Sequence, residues 1–230
     1  MNPFIGLKAA IIDLDGTLVD TLGDFDAALN RMLAQLSLPG IEPAAIERMI
    51  GKGSQHLIRS VLAHVHADPL RYEQALQAYQ MHYREINGRH STVYPGVVEG
   101  LQSLKDCGLQ LACLTNKHTM FAKALIEAKG LSRFFDQVYG GDLFERNKPD
   151  PLPLVKTCEA LGSAPAATLV VGDSSNDARA ARAAGCPVIL VTYGYNHGEP
   201  VRAVHADGFA DSLAEVAVLI RQQGGPATRP

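Results

Sequence analysis

Short apolar runs that break off in polar or glycine-containing strings recur along the chain. Ala9–Ile12 runs into Asp13, Leu109–Leu114 into Thr115 and Asn116, and Val138–Tyr139 into Gly140 and Gly141. Leu169–Val171 runs into Gly172 and Asp173, and Val188–Val191 into Thr192. Apolar runs of this length predict strands of a parallel sheet covered on both faces. Between them, apolar residues return at helical spacing over Val97–Cys107, Thr119–Lys129, Pro151–Leu161 and Asp177–Ala184. Gly108, Gly130, Gly162 and Gly185 stand just past these segments, where a left-handed cap closes a helix. Strand–helix alternation predicts an α/β fold with a doubly wound, Rossmann-like parallel-sheet core.

From Thr21 to about Arg89 the pattern changes. Helical amphipathicity dominates, strand signals are few, and the segment is broken at Pro39-Gly40, Gly51-Lys52-Gly53, Asp68-Pro69 and Asn87-Gly88. This predicts a helical insertion over residues 19–92 in an α/β core made of residues 1–18 and 93–230. The last residues, 224–230, read as a flexible tail.

Composition narrows the class of protein. With 230 residues, 47% hydrophobic residues and a net charge of −3, the chain can bury a sizeable core, and no basic surface suggests a nucleic-acid or membrane partner. Cys107, Cys113, Cys158 and Cys186 show no CxxC spacing, and Cys113 and Cys158 lie in apolar runs. A reducing compartment is expected. There is no signal-peptide pattern and no apolar run of about 20 residues, so the expected location is the cytoplasm.

Four polar clusters fall at predicted strand ends, the place where open α/β sheets bind ligands. In Asp13-Leu14-Asp15-Gly16-Thr17-Leu18, two carboxylates two residues apart in extended chain point to the same side. A divalent cation would relieve their repulsion and leave one carboxylate oxygen free as a nucleophile; the plain alternative is a turn. Thr115-Asn116 offers a hydroxyl and backbone N–H groups to phosphate oxygens, or is itself a turn. Lys117 and His118, which follow, read as exposed loop residues. In Asn147-Lys148-Pro149-Asp150-Pro151, Lys148 is biased to an extended conformation and could neutralise a phosphoryl group and the carboxylates. In Gly172-Asp173-Ser174-Ser175-Asn176-Asp177, Asp173 is placed to ligate a metal. Asp177 either supports the metal shell through water or serves as favourable charge at a helix N-terminus.

The four clusters, in this order, resemble the four motifs of the haloacid dehalogenase superfamily, and the helical insertion resembles the alpha-helical cap of one of its subgroups. The resemblance implies a phosphatase. Asp13 would be the nucleophile that forms an aspartyl-phosphate, and Asp15 the general acid and then the base. Thr115 and the backbone at Asn116 would bind phosphate, and Lys148 would steady Asp13 and the phosphoryl group. Asp13, the Asp15 carbonyl and Asp173 would ligate Mg2+, which an oxygen-only ligand set suits better than zinc. Asp15 argues for phosphate-ester chemistry, because the superfamily's dehalogenases and phosphonate hydrolases lack that acid. Phe25 stands where the sugar-phosphate mutases of this cap type carry a histidine, which argues for hydrolysis.

Softer likenesses point to bacterial phosphoglycolate phosphatases. They are Leu22–Leu33, Met49-Ile50-Gly51-Lys52-Gly53-Ser54 and Gly140-Gly141-Asp142. The expected substrate is a small phosphorylated metabolite, 2-phosphoglycolate, with another sugar or hydroxy-acid phosphate or pyrophosphate as rivals. A phospho-Asp signalling receiver shares the Asp, Thr and Lys but not the neighbouring Asp15 or the long insertion. Gly51, Lys52 and Gly53 read either as a turn between helices or as a loop whose lysine meets the substrate's carboxylate. Arg48, His56 and Arg59 stand behind Lys52 for that task. His64 and His66 lack a carboxylate or cysteine cluster nearby and read as surface residues. Oligomeric state is not legible.

Overall fold

The computed structural model describes residues 2–224. Apart from Gly224, the tail expected at residues 224–230 lies outside the described residues. The chain opens with β1 (Ala9–Ile12) and the short β2 (Val19–Asp20), then four helices follow: α1 (Leu22–Gln35), α2 (Pro43–Glu47), α3 (Ser54–His64) and α4 (Tyr72–Ile86). After β3 (Thr92–Val93) strands and helices alternate: α5 (Val97–Asp106), β4 (Gln110–Leu114), α6 (Thr119–Ala128), β5 (Gln137–Tyr139) and α7 (Leu152–Ala160). The chain ends in β6 (Thr168–Gly172), α8 (Ser175–Ala184), β7 (Val188–Val191), β8 (Gly208–Ala210) and α9 (Leu213–Gln222).

Six strands form one parallel sheet in the order β5-β4-β1-β6-β7-β8. Successive strand residues face opposite sides, so each strand feeds two cores. Ala10 and Ile12 pack with Leu101, Leu125 and Val216 of α5, α6 and α9, whereas Ala9 and Ile11 pack with Leu154 of α7 and Ala181 of α8. Burial on both faces is why these strands read as unbroken apolar runs. α8 starts one turn's half earlier than the sequence predicts, at Ser175, because Ser174 and Asp177 close a capping box there. At its other end Gly185 takes φ +80°, the left-handed cap expected of it.

Helices α1–α4 form a separate cluster around Phe25, Leu29, Ile46, Ile58, Tyr79 and Tyr83. Phe121 of α6 and Tyr195 from the loop after β7 join that cluster, so the helical unit closes directly on the sheet's strand ends. Both crossings between the two units run through the antiparallel β2–β3 ribbon. Asp24, fully buried in α1, accepts from Gly88 N and His90 N at 2.7 Å each and so ties the first cap helix to the returning chain. Two features differ from the sequence reading. The ribbon was not expected, because two-residue strands carry no periodicity, and β8 with α9 adds a sixth strand and a covering helix. Among the described residues, no helix is long and apolar enough to cross a membrane.

Candidate active site

β1 lies between β4 and β6, so the chain's polar clusters converge where its neighbours' connections diverge. Asp13 continues β1, its N–H donating to Val171 O at 2.9 Å. Thr115 continues β4 with its N–H on Tyr139 O at 3.0 Å, and Asp173 follows β6. Asp13, Asp173 and Asp177 each bring a carboxylate oxygen within 4.8 Å of the others. Lys148 sits among them, with Nζ 2.7 Å from Asp177 Oδ1 and 3.0 Å from Asp13 Oδ1, and it also donates to Leu114 O at 2.9 Å.

This cluster is electrostatically incomplete. Three carboxylates against one ammonium leave two negative charges in a buried site. The Lys148 approach to Asp13 Oδ1 falls outside hydrogen-bond geometry, and that oxygen has no hydrogen bond at all. Burial pushes Asp13 up to about 7; Lys148 pulls it down and the charge of Asp177 pushes it up again. Burial, followed by the charges of Asp177 and Asp13, raises Asp173 well above the carboxylate range. Burial works against the Lys148 ammonium, but Asp13 and Asp177 outweigh it and hold the group above its ordinary value. Both oxygens of Asp173 accept a hydrogen bond, Oδ1 from Thr17 Oγ1 at 3.1 Å and Oδ2 from Tyr195 N. All donors are oxygens, and a divalent hard cation matches both the charge and the ligand type.

Asp177 stands at the helix N-terminus as one of its two readings has it, its Oδ2 accepting from Ser174 N and Oγ, while its Oδ1 accepts from Lys148 Nζ. The Asn116 side chain is fully used inside the protein. Its amide donates to Gly51 O and Lys148 O at 2.9 Å each, and its oxygen accepts from Lys148 N. Only its backbone is left to meet a ligand. Through Gly51, this amide links the loop between α2 and α3 to the sheet.

A small cavity of about 40 Å³ opens beside Asp13. Asp15, Thr115, Asn116 and Lys117 line its floor, and Phe25, Ile50, Gly51, Gly53, Leu57, Tyr79 and Tyr83 line its roof. At roughly 10–15 Å³ per water, it has room for about three waters, so it suits a small ligand. Burial, then the charges of neighbouring groups including Asp15, keeps the phenols of Tyr79 and Tyr83 protonated well above their ordinary range.

A family model described as haloacid dehalogenase-like hydrolase matches residues 10–191, a span that holds all but the first residue of β1, the helical insertion and all four clusters. The chain belongs to the haloacid dehalogenase-like hydrolases. This hydrolase is 45% identical over 217 residues to a phosphoglycolate phosphatase of Thiobacillus denitrificans, covering 93% of this chain and 96% of that one. It is 42% identical to a phosphoglycolate phosphatase of Nitrosospira multiformis, over 94% of this chain and 96% of that one. Its fold matches the crystal structure of a predicted phosphoglycolate phosphatase from Haemophilus somnus with a TM-score of 0.89 at 31% identity, covering 93% of this chain and 98% of that one.

Two sequence expectations are corrected in this hydrolase. Lys117 is not an exposed loop residue. Its side chain is 5% exposed, and its ammonium lies 2.7 Å from Asp15 Oδ1 and over the rings of Phe25 and Tyr83 at 4.6 and 4.8 Å. Lys52 does not line the cavity although Gly51 and Gly53 beside it do. It is exposed in an outer groove shared with His56, Arg59 and Asp142. Gly51 and Gly53, at φ +101° and +83°, turn the loop backbone inward and its lysine outward. The weaker candidates lie away from the cavity as well: Arg59 stacks on Tyr72 at 4.0 Å, and Arg48 packs against Gly198. His118 caps α6 and pairs with Asp142 at 3.3 Å.

Sequence reading also missed the loop after β7. Tyr195 Oη accepts from Thr21 N at 2.9 Å and Leu22 N at 3.1 Å and bonds Asp20, while its own N–H meets Asp173. One loop therefore braces both the acidic cluster and the first crossing into the helical unit. The strand-end rule that found the other clusters applies equally to the string after Val188–Val191.

Proposed function

We propose that this hydrolase is a Mg2+-dependent phosphatase that converts 2-phosphoglycolate to glycolate and phosphate through an aspartyl-phosphate on Asp13. The observation that carries the reading is the convergence of Asp13, Asp173 and Asp177 beside a small cavity that also exposes Asp15 and Thr115. The names of the relatives support the choice of substrate. In this reading residues 19–92 act as the cap and residues 1–18 with 93–230 as the catalytic core.

Asp13 attacks phosphorus and the ester P–O bond breaks. Asp15 gives its proton to the departing glycolate oxygen. Asp15 then takes a proton from water, the water oxygen attacks phosphorus, and the Asp13–phosphorus bond breaks. The side chain of Thr115 and the backbone N–H at Asn116 hold phosphoryl oxygens. Lys148 orients Asp13 and works against burial to favour its ionised form, since an ammonium favours the charged form of its partner. Asp13, the Asp15 carbonyl and Asp173 would hold Mg2+, with Asp177 supporting through Lys148. When bound, the cation supplies charge that offsets the phosphoryl oxygens as the bond order changes. The apolar roof excludes water, which strengthens each of these contacts. The partner is a small phosphorylated metabolite. Four buried free cysteines fit a reducing, cytoplasmic setting.

Phosphate release from 2-phosphoglycolate by the purified protein, with added Mg2+ and with excess chelator, tests the reading. Release that depends on Mg2+ is expected. Undiminished release in chelator, or none with Mg2+ present, contradicts it.

A further inference from the structure

The reaction above gives no task to the buried cation nearest its acid. Lys117 and Asp15 form an ion pair 5% and 8% exposed, and burying an ammonium is unfavourable unless it is paired. Phe25 and Tyr83 present ring faces to the same ammonium. Of the residues lining the cavity, Lys117 is the one lysine or arginine, and the roof above it is apolar.

We propose that Lys117 recognises the leaving group, exchanging Asp15 for a carboxylate that sits one carbon from the ester oxygen. This rests on the phosphoglycolate reading and names the residue that enforces it. The geometry argues for it in three ways. To protonate the ester oxygen, Asp15 must lie within hydrogen-bond reach of it. Lys117 is in turn within hydrogen-bond reach of Asp15, so the cation stands one short step beyond the ester oxygen, the span of a two-carbon acid. Next, Tyr83 Oη is buried without any partner, and Tyr83 lines the same cavity. A leaving-group carboxylate has a second oxygen that can accept from this phenol, whereas an alkyl group offers nothing. Finally, Asp15 Oδ1 is occupied by Lys117 at 2.7 Å. An arriving carboxylate draws Lys117 away and frees that oxygen to take up a proton from solvent, which it then passes to the ester oxygen. A neutral leaving group cannot compensate Lys117 and leaves the pair closed. Phe25 is part of the device: its ring gives the ammonium a second resting contact, which a polar side chain there would replace with a competing partner.

The test compares Lys117→Gln with the wild-type enzyme on 2-phosphoglycolate and on ethyl phosphate, a monoester of the same carbon count whose leaving group is neutral. The wild type should prefer phosphoglycolate. The variant should lose about 10–100-fold in kcat/KM for phosphoglycolate, the size of one charged hydrogen bond, and gain rather than lose activity on ethyl phosphate, because Asp15 is no longer held in the closed pair. Inhibition by inorganic phosphate should be unchanged, which shows an intact phosphate site. If the variant keeps the preference, or loses both substrates equally, Lys117 does not recognise the leaving group, while the substrate reading stands. If the wild type shows no preference, both fall. Should Lys117→Gln not fold, the wild-type enzyme alone decides. Glycolate should inhibit ethyl phosphate hydrolysis about tenfold or more better than glycolamide, and equal inhibition overturns the proposal.

Discussion

Lys148 shows how much one side chain can hold together at the residue scale. It touches Asp13, Asp177 and the Leu114 carbonyl, and its own backbone is fixed by Asn116. Replacing it by methionine leaves buried carboxylates without their ammonium, which typically costs about 3–5 kcal/mol. Lys148→Met should therefore lower urea stability by about that much in chelator, with an unchanged m-value; a change below about 1 kcal/mol would mean that the pairs contribute nothing net. Asp13→Asn should abolish turnover, because an amide is a poor nucleophile and a weak ligand. At the cap, Lys52→Ala should alter kcat/KM for phosphoglycolate by about threefold or less, since its side chain lies in the outer groove. A loss of about tenfold or more would return specificity to the glycine-flanked loop. The difference between Lys52 and Lys117 explains what was legible. Both stand in suggestive strings, but burial is a property of partners. Lys117 is buried by Phe25 and Tyr83, which are distant in sequence, while the glycines around Lys52 say that its backbone bends without saying which way its side chain points.

At the scale of elements, Asp13, Thr115 and Asp173 stand directly after strands whereas Lys148 lies in the long loop after β5, and the strands with unbroken apolar runs were the readable ones. β1 and β7 match their expected limits because both faces are covered, so no alternation blurs the pattern. β2 and β3 are two residues each, too short for a period to show, and β8 is a three-residue strand opened by Gly208. The loop after β7 went unread although it follows such a run, and its packing makes a specific demand. A Cβ on Gly194 would lie 2.3 Å from Asp173 Cβ and 2.3 Å from Gly16 O, contacts that side chains do not tolerate. Gly194→Ala should thus displace Asp173 and raise the Mg2+ concentration needed for half-maximal activity by about tenfold or more. An unchanged Mg2+ requirement would show that the loop does not brace the acidic cluster. Tyr195→Phe tests the other end of the same loop. It leaves the N–H groups of Thr21 and Leu22 without their acceptor, so stability in urea should fall by about 1–3 kcal/mol.

For the whole molecule, the acidic cluster links folding to cation binding. Asp13 is held at about 7 against an ordinary 3.8, so between those values the folded chain keeps a proton that the unfolded chain has lost. The metal-free protein therefore has this contribution in full below about pH 4 and loses it as the pH rises through about 7. Asp173 shifts in the same direction. Without metal, Tm should fall between about pH 5 and pH 8 by more than in an Asp13→Asn variant, which lacks the titrating group. Mg2+ should raise Tm of the native protein more at about pH 8 than at pH 5, because at the lower pH it must displace protons. Equal shifts at both would mean that the cation does not bind at these carboxylates. The helical unit closes on the strand ends beside the acidic cluster, where the proposed reaction has its covalent step. That step can be observed most directly in Asp15→Asn, which in the proposed roles keeps the nucleophile but lacks the base that clears it. An aryl phosphate, whose departure needs little acid, is mixed with this variant and Mg2+, quenched in acid and analysed by peptide mass spectrometry. One phosphoryl group on the peptide that holds Asp13, accumulating while turnover falls about 10²–10⁴-fold, is the predicted result. Phosphate release at the wild-type rate with no adduct on that peptide would contradict the account.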